Sequence, residues 1–171
     1  MWSSIVAVLG TLAGAGLAGY VQRATDRRAR DAAHRQEVTR AVAELLEAVV
    51  RHREAHWLAV AARRAGDVET SEERVARAST RSAATVARDR LGLLVLTDPA
   101  LLGAAETAWR TAIELPDISL GPVVDGRFEP GVEAALEAAR ERSRSAHTAL
   151  RIAGAAYINK APRHSPLGEL M

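Results

Sequence analysis

The sequence predicts an all-α fold in which an N-terminal transmembrane helix continues into an antiparallel helical bundle. Three observations predict it. Residues Trp2 to Val21 run without a charge, and about twenty helical residues match the roughly 30 Å hydrocarbon core of a bilayer. Beyond them, apolar residues recur at alternating steps of three and four along most of the chain, which is the period of an amphipathic helix. Aromatic residues are only 4% of the chain, so the core has to be built from Ala, Val and Leu at close helix–helix distances.

The membrane reading covers residues 1–22. Trp2 and Tyr20 stand near its two ends, where amphipathic rings favour the headgroup layer, and Arg23, Arg27 and Arg28 follow at once. By the positive-inside bias the N-terminus lies outside and the rest of the chain in the cytoplasm, as in a single-pass protein of the cell membrane. A cleaved signal peptide is the rival reading, with Ala13, Ala15 and Ala18 as small residues for cleavage; the arginines, however, come after the apolar run rather than before it. Many positions in the run are Gly, Ala, Ser or Thr, so insertion of a lone helix is marginal. Gly10, Gly14 and Ala18 form a small-residue row along which two membrane helices can approach closely, and homo-oligomerisation is expected from it.

Residues 23–37 are Arg-rich with little but Ala on any apolar face, and read as a juxtamembrane stalk near anionic headgroups. From there to about Ala65 the helix gains an inward seam of Val38, Val42, Leu45, Val49, His52, His56 and Ala59. Gly66-Asp67 stops it. Thr70 and Glu73 have capping-box spacing, so a second helix starts there and carries Val75, Ser79, Ser82, Val86 and Arg90 inward before the apolar run Leu91–Leu96. Asp98-Pro99 is an N-cap followed by proline at the first helical position. The third helix buries Leu101, Leu102, Ala105, Ala108, Trp109, Ala112 and Ile113 and ends at Pro116.

Pro116 to Pro130 is the main loop, in which Val123-Val124-Asp125-Gly126-Arg127-Phe128 reads as a small hairpin with a type I′ turn. Helix four follows to Asn159, with Val132, Ala135, Leu136, Ala139, Ser143, Ala146, Leu150, Ala153 and Tyr157 inward. Residues 38–160 are therefore a four-helix bundle and 161–171 a flexible tail. Whether the helices close on themselves or pair with a second copy is open, because both bury the same seam.

No catalytic signature is present, and neither an enzymatic activity nor a cofactor is expected. There is no cysteine and Lys160 is the sole lysine; 23 basic residues face 21 acidic ones for a net charge of +2, a balance of solvated faces rather than a nucleic-acid-binding stripe. His52 and His56 lie four apart on one face and are the candidate metal pair, but Arg53 occupies the place where a metalloprotease motif needs Glu, and no third ligand is supplied. Ser143, Ser145 and His147 lack the elbow and orienting acid of a nucleophilic site.

The opening Met1–Gly19 run, the Arg-rich stalk, His52-Arg53-Glu54-Ala55-His56-Trp57 and the Leu91–Asp98 run before a proline-started helix resemble small actinobacterial KilB-like proteins. That resemblance implies a membrane-attached protein associated with plasmid spread or related mobile elements, and carries no catalytic residues with it. The expected function is a single-pass interaction or scaffold protein that binds the lipid bilayer, itself and an unidentified protein partner through the Pro116–Pro130 loop or the tail. A membrane-permeabilising holin- or toxin-like oligomer is the alternative, and a metal-dependent enzyme using His52 and His56 the third reading.

Overall fold

The computed structural model describes residues 2–160, with side chains described from Gly19 onward. Four α-helices and one short 3₁₀ turn make up the regular structure: α1 (Trp2–Ala65), α2 (Ser71–Leu94), α3 (Pro99–Ile113), the 3₁₀ turn Leu115–Asp117, and α4 (Pro130–Asn159). They fall into two compact units divided between Glu37 and Val38. In the first unit Tyr20, Val21, Arg23, Arg27 and Arg28 are exposed on α1. Among the residues so described, no helix is long and apolar enough to cross a membrane. The surroundings of Trp2, Gly10, Gly14 and Ala18, on which the membrane and association readings rest, lie outside what the structure describes, as does the tail 161–171.

The second unit is an antiparallel bundle whose neighbours are fixed by pairs of residues at steady register. Glu44 meets Arg90 and His52 meets Thr80 across α1 and α2. Thr85 and Arg88 meet Trp109 and Glu106 across α2 and α3. Asp98 before α3 meets Lys160 after α4, and Arg64 of α1 meets Glu133 of α4. The chain therefore runs up, down, up and down, each helix beside its sequence neighbours and α4 back against α1.

Each boundary has a chemical cause. Gly66 at φ +90 ends α1, with Gly66 N–H donating to Arg63 O and Asp67 N–H to Ala62 O, a Schellman arrangement that satisfies orphan carbonyls. The Thr70–Glu73 capping box is formed in both directions and opens α2. Asp98 accepts from Leu101 N–H at 3.0 Å and opens α3. Asp125 and Gly126, at φ +49 and +72, turn the chain between Val124 and Arg127, which exchange both backbone hydrogen bonds, so the small hairpin is present.

The inward seam of α1 is buried at Val38, Val42, Leu45, Val49, His52 and His56, and α3 and α4 bury most of their expected faces. Helix α2 differs. Its buried residues are Ala84, Ala87 and Leu91, whereas Val75, Ser79, Ser82 and Val86 are exposed. The inward face of α2 is thus small along most of the helix and reaches full size only at Leu91. Between α1 and α4, a Cβ added to Gly154 would stand 3.0 Å from Val42 Cγ1.

Helix α3 has 15 residues against 30 in α4. One end of the bundle thus has four helices around the main core, and the other has three helices and the 114–129 loop. A satellite cluster of Val60, Phe128 and Leu136, backed by Trp57, Ile118, Leu120, Val123 and Val132, closes part of that second end. The rest is left hollow.

Candidate functional site

The hollow is a cavity of about 750 Å³ between the C-terminal part of α1, the first turns of α2 and the loop. Leu58, Val60, Val68, Ile118 and Leu120 give it apolar walls, and His56, Thr80, Arg77 and Glu69 give it a polar end. Arg77 and Glu69 are paired with each other at 2.9 Å. They leave the rim neutral as a pair.

The two histidines are nearly sealed from solvent, with His52 1% and His56 3% exposed. Thr80 Oγ1 lies 2.9 Å from His52 Nδ1 and donates its own proton to Arg77 O at 2.7 Å. A hydroxyl has one proton to give, so His52 Nδ1 carries the hydrogen in this pair and its Nε2 is a bare acceptor. That Nε2 has no partner, nor has either ring nitrogen of His56. Burial, with Arg77 and then His52 nearby, pushes His56 down to about 4; burial, Arg81 and Arg77 lower His52. Both rings are neutral at neutral pH. His56 therefore stands in the cavity lining with one unmet N–H and one unmet lone pair sealed behind it, at a cost in desolvation that an unpaired buried polar group ordinarily carries.

A neutral imidazole can donate to one group and accept from another, and the aliphatic wall beside it suits an apolar ligand. Among the described residues no group of three or more His, Cys, Asp or Glu side chains is placed to hold a metal ion. His52 and His56 are brought together, but no carboxylate completes a ligand set. Ser143 is fully buried with an unpaired hydroxyl, while Ser145 is exposed and pairs with Glu141 at 3.3 Å. No hydrogen bond joins either serine to His147 among the described contacts, so they form no nucleophile–base pair.

Partner recognition is expected of the Pro116–Pro130 loop or the tail; of that loop, Pro116, Ile118, Ser119, Leu120 and Gly121 form one wall of this cavity. Thr80, Arg77 and Glu69 were not anticipated. No sequence motif marks them, because their role depends on α2 facing α1 through a side that hydrophobic periodicity does not reveal.

The family model described as KilB plasmid transfer protein matches residues 39–158, which is the bundle itself. The chain also aligns with Protein KilB of Streptomyces lividans at 38% identity over 117 residues, covering 67% of this chain and 78% of that protein. The chain belongs to the KilB family. No solved structure matches it. The KilB match takes in both histidines, the cavity and the loop, and it begins just after the Arg-rich segment. It thus supports the bundle as the shared unit.

Proposed function

We propose that the chain acts in plasmid transfer as a non-enzymatic, membrane-attached interaction protein whose bundle holds a short segment of a transfer partner. The observation that carries this reading is the apolar cavity walled by the loop, with His56 in its lining, 3% exposed and unpaired at both ring nitrogens. A peptide segment suits that site: an apolar side chain covers the wall, and backbone amides supply a donor and an acceptor to the imidazole once the side chains sealing it move aside. Family membership supplies the process. Attachment is supported by the uncharged run Trp2–Val21 and the arginines behind it, and self-association by the Gly10, Gly14, Ala18 row.

The chain has no cysteine, which makes a single introduced thiol a unique reporter. Ser119 lines the cavity and is exposed. In a Streptomyces strain carrying a transfer plasmid deleted for its own KilB-family gene, the unaltered chain should restore transfer and Ser119→Trp should not, with the thermal midpoint unchanged. A photo-crosslinker on Ser119→Cys should yield a discrete adduct with a plasmid-encoded protein, absent with the label on Thr148→Cys of α4. Restored transfer by Ser119→Trp, without an adduct, would overturn the cavity as the partner site.

A further inference from the structure

A second groove lies across Leu58 from the cavity, between α1 and α4. It has a volume of about 510 Å³ and is lined by Val50, Arg53, Glu54, Trp57, Leu58, Arg140 and Arg144. Three arginines there face one carboxylate. The Arg140 guanidinium sits 5.6 Å from the Trp57 ring centroid, and its nearest acidic neighbour, Glu137, is 3.9 Å away, at the limit of an ion pair. Arg53 Nε and Trp57 Nε1 are buried N–H donors with no acceptor. Burial and then the neighbouring Arg144 and Arg140 lower the Arg53 pKa, with Glu54 offsetting only in part. His147, next along α4, is lowered by burial and by Arg53 and Arg151, so it adds no charge.

Like charges gathered on a half-dry surface destabilise one another unless a counter-charge arrives. The groove therefore lacks an anion. Its floor narrows the choice of occupant, because Leu58 is 70% exposed and continues an apolar strip with Val50 and the face of Trp57. A bare phosphate or a nucleic-acid backbone would leave that strip wet. A protein segment that alternates carboxylates with aliphatic side chains would neutralise the arginines and cover the strip together.

We infer that the α1–α4 groove around Trp57, Arg140 and Arg144 is a docking site for an acidic, amphipathic segment of a protein partner. Tryptophan and arginine are the residue types on which such interfaces concentrate their affinity. The site is separate from the His56 cavity, on the other flank of α1.

The test is fluorescence anisotropy of a labelled helical peptide of about fifteen residues, with Leu at i, i+4 and Glu between, titrated with the full-length chain in mild detergent. Binding is expected, weakening steeply as salt rises from roughly 50 to 300 mM. Loss of roughly tenfold or more is expected in Arg140→Glu/Arg144→Glu, at two exposed positions whose change leaves the core untouched. Trp57→Phe, which keeps an aromatic face but loses half of the indole and its N–H, should weaken binding less. Peptides with Glu→Gln or Leu→Ser should bind poorly. The inference fails if the Leu/Glu peptide does not bind, if the double variant binds it equally, or if duplex DNA or phosphatidylserine vesicles compete for the groove more strongly than the peptide does.

Discussion

His52 and His56 make the interior of this bundle sensitive to acid. In the unfolded chain a histidine takes up a proton near its ordinary 6.5, whereas in the fold His56 resists until about 4, and His52 is shifted in the same direction. The unfolded state thus binds more protons between those limits, and stability is full above 6.5 and lost as pH falls through the window. The slope for each histidine is at most about 1.4 kcal/mol per pH unit. Urea midpoints measured at pH 7.5 and pH 5 should therefore fall with acid, and the fall should be smaller in His56→Leu, which removes the titrating group and two unpaired polar atoms at once. An equal fall in wild type and variant would place the acid sensitivity elsewhere. Thr80→Val tests the other half of the arrangement: it strands His52 Nδ1 and should cost about 1–3 kcal/mol, read from the same urea curves at pH 7.5.

Helix ends and interhelical spacing account for most of the rest. Gly103 and Gly154 both lie inside helices, yet a Cβ meets nothing within 4 Å at Gly103 and meets Val42 at 3.0 Å at Gly154. Gly103→Ala should then stabilise by about 0.5–1 kcal/mol through helix propensity. Gly154→Leu should destabilise by about 1–3 kcal/mol, because the β-branched Val42 has little rotamer freedom to retreat; thermal midpoints of the two variants should move in opposite directions. The ends were legible in the sequence: Gly66, Thr70 with Glu73, Asp98-Pro99, Asp125-Gly126 and Pro130 are local signals and act through neighbours a few residues away. The inner faces of α1, α3 and α4 were legible too, since aliphatic residues repeat strongly there. The inner face of α2 was legible only at Leu91, because its valines point outward and its other buried residues, Ala84 and Ala87, are alanines, whose weak hydrophobic signal cannot outvote Val75 and Val86. The cavity escaped notice for a related reason. It arises from the shortness of α3 relative to α4, which only the packed bundle turns into a hollow beside His56.

At the scale of the whole chain, the shared KilB region and the first thirty-seven residues ask different things of the molecule. The bundle between Val38 and Lys160 carries both grooves and the family match, and the docking proposed at those grooves needs no bilayer. An anchor would serve to fix where that recognition happens: it confines a partner-binding bundle to the membrane surface, raising its effective concentration toward any membrane-bound transfer component. The Arg-rich turn around Arg23, Arg27 and Arg28, exposed on α1, would sit at the anionic headgroup layer, where each such residue contributes about 1 kcal/mol. If this division holds, the full-length chain should remain in the membrane fraction after an alkaline carbonate wash, with an intact mass that includes the first twenty or so residues. In mild detergent it should run as a discrete oligomer, and Gly10→Leu with Gly14→Leu should dissociate that oligomer without releasing the chain from the membrane, because leucine blocks close backbone approach while raising apolarity. A chain released by carbonate, or one lacking its opening segment, would detach the bundle's recognition from the membrane and leave α1 as a helix whose N-terminal part serves some other contact.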